Sequence, residues 1–154
     1  MKKSFISAIL KVAILCMIIF FGSAFFIYEA KLIGWVMLGL SALCLASLRA
    51  FQIPLKHVSP DIIFGVIDNS FLVVLALFGA HISGVAGAII GGAVGNAITD
   101  GIAGVFEGHM AESLRQKNIS EERTVLGSAI GKMAGCLLGA GVVLVCVNLL
   151  NISF

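Results

Sequence analysis

Between Phe5 and Asn148 the chain is a succession of apolar runs, each close to the length that crosses a bilayer. A helix rises about 1.5 Å per residue, so roughly 20 apolar residues span a hydrocarbon core of about 30 Å. Five runs approach or meet that measure: about Phe5 to Tyr28, about Leu32 to Leu48, Ile62 to Ile82, about Gly84 to Phe106, and Thr124 to about Asn148. Backbone polar groups in lipid must be satisfied inside the segment, which helices do and open strands do not. The pattern predicts an all-α polytopic membrane protein with five transmembrane helices, the second being the shortest. Composition agrees: 60% of the 154 residues are hydrophobic and 12% are charged, against roughly 25% charged in soluble domains. A soluble enzyme and a disordered regulator are excluded. So is a nucleic-acid binder, because a net charge of +2 without a basic run offers no surface that tracks phosphates.

Orientation follows from the lysines and arginines. With five alternating helices, Lys2, Lys3, Arg49, Lys56, Arg115, Lys117 and Arg123 fall on one side and Lys31 on the other. This predicts a cytoplasmic N-terminus and an external C-terminus, with Tyr28 and Trp35 flanking the outer interface. Pro54 and Pro60 break the chain between Arg49 and Asp61, dividing an N-terminal two-helix hairpin (1–57) from a three-helix core (58–154). A second cytoplasmic connection runs from His109 to Arg123, with Ser120 as the expected N-cap of the fifth helix and Glu121 and Glu122 in its first turn. Cys16, Cys44, Cys136 and Cys146 sit singly inside apolar runs and read as small buried hydrophobes.

Thirteen of the 18 glycines lie from Gly84 onward. Gly87, Gly91 and Gly95 recur every four residues, followed by Gly104 and Gly108; Gly127, Gly131, Gly135 and Gly139 repeat the device. Spacing of four puts them on one helix face, where missing side chains let backbones approach in lipid. Helices four and five are therefore expected to be close-packed. A scaffold built only for packing would not need carboxylates at membrane depth, yet Asp68, Asp100 and Glu107 all fall within spans. Each such acid costs about 2.5–3.5 kcal/mol on insertion scales.

Depth arithmetic gathers these acids with other polar groups. At 1.5 Å per residue Asp68 lies about 9 Å inside the cytoplasmic boundary and Asp100 roughly 6 Å, while Asn69, Asn96 and Lys132 fall at about 10–12 Å. Asn96, Asp100 and Glu107, at offsets of four and seven, share a helix face. Carboxylate, amide and carbonyl oxygens are the ligands of hard cations such as Ca²⁺, Mg²⁺ and Na⁺. Asp68 and Asp100 are expected to carry the charge of a cation site, with Asn69, Asn96 and Thr99 adding neutral oxygens. Glu107 is expected as an entrance acid, and Lys132 as the group that balances a carboxylate when no ion is bound. Glycines 95, 101 and 104 around this stretch would let the helix open and offer carbonyls, as in broken transporter helices. Asp100-Gly101-Ile102-Ala103 matches part of the D-G-x-x-A-R core of CDP-alcohol phosphotransferases. However, Gly104 stands for the Arg and Ala97 for the upstream Asp, so no enzyme is expected.

Taken in order, Gly65-Val66-Ile67-Asp68-Asn69, then Gly95 through Gly104 with Glu107, then Gly131 through Gly139 resemble the transmembrane protein 65 family. The resemblance covers about Val58 to Val147 and leaves out the first two helices. The family is associated with mitochondrial sodium-dependent calcium efflux, which implies a cation-exchange role here. Because this sequence lacks an Arg/Ser-rich transit peptide, a bacterial-type plasma membrane is the expected home.

The leading expectation is a secondary cation transporter, an exchanger moving Ca²⁺ or another divalent cation against Na⁺ or H⁺. Its partners are the lipid bilayer, inorganic cations and a second copy in a homodimer, with no covalent cofactor and no nucleic acid. The alternative is a structural or regulatory glycine-zipper membrane protein whose buried acids pair with Lys132.

Overall fold

The computed structural model of the chain describes residues 2–26, 31–116 and 124–150; within these, the side chains of 2–4, 106–111 and 113–115 fall outside the described set. Tyr28, Lys117, Ser120, Glu121, Glu122 and Arg123 lie outside the described residues, as do the side chains of Glu107 and His109.

All regular structure among the described residues is helical: α1 (Lys2–Phe26), α2 (Ile33–Ala50), α3 (Leu55–Gln116) and α4 (Val125–Leu149). Four helices are long and apolar enough to cross a membrane, over Phe5–Phe26, Ile33–Ala50, Leu55–Val105 and Val125–Leu149. By length and composition this is an integral membrane protein.

The 62-residue α3 is two helices in one. Its helical path breaks at Ser83 (φ −143°, ψ 27°) and Gly84 (φ 57°, ψ −137°). The second pair of angles is open to glycine and strained for other residues. The break separates arm α3a (55–82) from arm α3b (85–116). Across it Gly79 meets Gly87, Leu75 meets Gly91 and Leu72 meets Gly95, so the arms fold back antiparallel. A Cβ added at Gly79 or Gly87 would run into the carbonyl oxygen of the other, and one at Gly91 would meet the Leu75 carbonyl.

Helix α4 lies between α3a and α2. Val58, Ile62 and Val66 of α3a face Gly131, Gly135 and Gly139 in the same order, so these two helices run parallel. On the other side, Gly34 packs on Val145, Leu38 on Gly141, and the buried Ser41 hydroxyl donates to the Ala134 carbonyl at 2.8 Å, an antiparallel pairing. One apolar cluster joins Leu15, Cys44, Leu48, Val58, Ile130, Ala134 and Leu137. The residue 1–57 hairpin of the sequence reading therefore shares its core with the rest of the chain.

Three boundaries differ from the sequence reading. Helix α3 starts at Leu55 rather than Ile62, with Pro60 inside it. A proline at this point leaves the Lys56 carbonyl without its helical N–H, and the Ser59 hydroxyl takes that carbonyl at 3.1 Å. The preceding corner closes as a Schellman turn: Gln52 adopts φ 58°, its N–H bonds Arg49, and the Ile53 N–H reaches back to Leu48. Arm α3b runs on to Gln116 instead of ending near Phe106, because residues 110–116 (Met-Ala-Glu-Ser-Leu-Arg-Gln) are mostly good helix formers. The N-cap of α4 is Thr124, not Ser120; its side chain accepts the Gly127 N–H at 3.0 Å.

Candidate functional site

The fold puts Asp68 and Thr99 against each other. Asp68 sits on the face of α3a turned to α3b, and Thr99 continues the face that carries Gly87, Gly91 and Gly95. Both are buried, at 5% and 2% exposure. Their depth comes from the interlock of the two arms: with a glycine at every fourth position of α3b, the first larger polar side chain on that face reaches the opposite helix. The Thr99 hydroxyl donates to Asp68 Oδ1. It also stands 3.1 Å from the carbonyl oxygens of Gly95 and of Asn96, within its own helix.

A threonine hydroxyl has one proton and two lone pairs, so those three acceptors compete. In the structure the hydroxyl proton serves the Asp68 carboxylate, and the two helix carbonyls stand by as further acceptors.

Asn69, one residue on, faces α4: its Nδ2 donates to the Cys136 carbonyl at 3.0 Å. The amide thus ties α3a to α4 at the level of the Asp68–Thr99 contact, with its Oδ1 held in the same layer. A Cβ on Gly65 would stand 2.6 Å from the Lys132 carbonyl oxygen and 2.8 Å from the Cys136 nitrogen, so the backbones are in direct contact there. A turn below, Ser128 Oγ donates to Asp61 Oδ2 at 2.8 Å, a second polar tie between the same helices.

Asn96 and Asp100 behave differently. Asn96 Nδ2 donates to Asp100 Oδ2 at 2.8 Å, and both residues are exposed on the outer side of α3b. Neighbouring helix positions are about 100° apart, so with Thr99 turned inward Asp100 turns outward. Within one chain the structure brings Asp68 together with Thr99, and Asn96 with Asp100; the two carboxylates face different surroundings. Glu107 belongs to the last third of α3b, with its side chain outside the described set.

Lys132 is exposed, and its ammonium stands over the Phe64 ring, 4.7 Å from the centroid. Among the described residues its partner is this aromatic face, with no ion pair to a carboxylate. Lys11 does the same over Phe51 at 4.4 Å. A cavity of about 580 Å³ between α1, α2 and α4 is lined by Cys16, Ile19, Met37, Met133 and Leu137 among others. Its walls are almost wholly apolar, with Ser23 the one hydroxyl-bearing residue in the lining and no carboxylate among them, so it is poorly suited to a cation.

The partners that the residue pattern did not reveal are backbone carbonyls: Cys136 for Asn69, Gly95 and Asn96 for Thr99. Gly135 beside Cys136 was the available signal, since a backbone brought that close exposes its carbonyls to the facing helix. No protein-family model, curated protein or solved structure matches the chain.

Proposed function

We propose that the chain is a secondary cation transporter, an exchanger moving Ca²⁺ or another divalent cation against Na⁺ or H⁺. The observation that carries the reading is Asp68: a carboxylate buried in the middle of an apolar span, held by a hydroxyl with a second acceptor in reach. A carboxylate placed there for structure alone is best served by a cation of the protein itself. Its partner is Thr99, and the nearby Lys132 stands over Phe64. A carboxylate held by a neutral hydroxyl keeps its charge for a mobile cation, which suits a site that alternates between ions.

In this reading the chain crosses the bilayer five times, the two arms of α3 each making one passage. Asp68 and Asp100 provide charge, Asn69, Asn96 and Thr99 provide neutral oxygens, and Glu107 gathers cations at the cytoplasmic end. The resemblance of residues 65–69, 95–104 and 131–139 to the transmembrane protein 65 family points the same way. The lysine and arginine distribution favours a cytoplasmic N-terminus and an external C-terminus, in a membrane taken here as a bacterial-type plasma membrane.

The backbone contacts at Gly79, Gly87, Gly91, Gly135 and Gly139 favour a second reading, a glycine-zipper scaffold without transport. Cation uptake into liposomes carrying the purified chain separates the two. A ligand that binds only the folded state must stabilise it, so Ca²⁺-dependent thermal stabilisation is expected as well. A chain that neither gains stability with Ca²⁺ nor carries it would be the scaffold.

A further inference from the structure

Arm α3b has two faces built alike but used differently. Gly87, Gly91, Gly95, Thr99 and Ala103 pack on α3a or are buried beside it. On the opposite side Ala93, Ala97, Asp100 and Gly104 follow each other at steps of four, three and four, and all four are exposed. That spacing is the seam of two helices packed along their length, and in lipid such seams are made of small residues. Nothing lies within 4 Å of a Cβ added at Gly104 or at Gly101 beside it.

A polar pair sits in the middle of this seam. Asn96 spends one amide hydrogen on Asp100 Oδ2. Among the described residues the second amide hydrogen and Asp100 Oδ1 have no partner, on a helix whose other exposed side chains include Ile89, Val94, Ile98 and Ile102. Lipid cannot satisfy either group. Gln116, where the described part of α3b ends, lies about 24 Å further along the helix.

We propose that a second copy of this chain covers the seam, with α3b of the two copies packed about a two-fold axis along the membrane normal. Such an axis keeps like residues at one depth and makes the contact reciprocal. The Asn96 amide of each copy reaches one turn, about 6 Å, along the axis to the Asp100 carboxylate of the other, offsetting the repulsion of two Asp100 side chains that the axis holds at one depth. Ala93, Ala97 and Gly104 let the backbones come close enough for that. Resting on the transport reading, this makes the Asp100 half of the cation site a property of the dimer, incomplete in a single chain.

The test is disulfide trapping in membranes. In a background with Cys16, Cys44, Cys136 and Cys146 replaced by Ala, Ala97→Cys and Gly104→Cys should oxidise to a covalent dimer. Ile98→Cys on the same helix and Ile67→Cys on α3a should stay monomeric. Independently of the cysteine background, the wild-type chain in nanodiscs should have the mass of two copies, and Ala97→Phe should halve it while Ile102→Phe should not. A monomer in the nanodisc overturns the proposal, whether lipid headgroups or another protein covers the face. So does a dimer that cross-links at Ile67 or Ile98 in preference to Ala97. Trapping reads assembly alone: cross-links at the seam with Asp100→Asn transport unchanged would leave the dimer standing and remove the transport reading. Transport that needs Asp100 in a monomeric chain would do the reverse.

Discussion

Replacing Thr99 by Val removes one oxygen and keeps the shape, which makes it the sharpest single perturbation of the site. Thr99 is 2% exposed and Asp68 5%, so water cannot take the place of the missing hydroxyl. Asp68 Oδ1 then loses its donor. A buried acceptor left unsatisfied costs about 1–3 kcal/mol, and more when it is charged. For a chain of this size each kcal/mol corresponds to roughly 2–4 °C in Tm, so Thr99→Val should lower the unfolding temperature by about 2–12 °C in detergent. Two companions isolate the cause. Thr99→Ser keeps the oxygen and should lose little. Asp68→Asn keeps a side-chain oxygen to accept the Thr99 proton while removing the charge, and should be at least as stable as the parent. In flux assays Thr99→Val and Asp68→Asn should both fail, whereas Thr99→Ser should transport. Thr99→Val as stable and as active as Thr99→Ser would refute the claim that the hydroxyl holds the carboxylate.

Two further outcomes follow from the same geometry. Gly135→Ala places a Cβ against the Ile62 carbonyl, backbone that cannot step aside, and should destabilise by about 1–3 kcal/mol. Gly39→Ala, with nothing within 4 Å, should instead gain up to about 1 kcal/mol from helix propensity; thermal scans showing the same sign for both would contradict the α3a–α4 contact. Because the Lys132 ammonium stands over Phe64, Lys132→Met should fold normally and transport with a changed cation affinity. Lost stability with unchanged transport per folded molecule would return Lys132 to a purely structural part.

Much of the architecture was legible in the apolar runs, because length and polarity alone decide what can cross a bilayer. The reversal near Gly84 was visible as the gap between two runs, and φ 57° explains why a glycine stands there. Where the reading went astray, a side chain had repaired a backbone fault. Pro60 looked like a stop until Ser59 took up the Lys56 carbonyl, and Ser120 looked like a cap although Thr124 holds the N–H of Gly127. For the site, depth was readable and direction was not. Asp68, Thr99 and Asp100 all fall in one layer by counting, but only packing decides that Thr99 turns toward Asp68 and Asp100 away from it. The carbonyl of Cys136 as partner of Asn69 has no signature in the residue pattern, since every residue carries one.

If Asp68 and Asp100 carry a transported cation, flux through the two aspartate variants must show it. Purified parent chain, Asp68→Asn, Asp100→Asn and Glu107→Gln are reconstituted at matched protein density, and Ca²⁺ movement is followed under an imposed Na⁺ gradient and, separately, an imposed H⁺ gradient. Gradient-driven Ca²⁺ flux is expected in the parent, none in either aspartate variant although both remain folded, and a reduced rate in Glu107→Gln. Parent-level flux in Asp68→Asn or in Asp100→Asn would contradict that role.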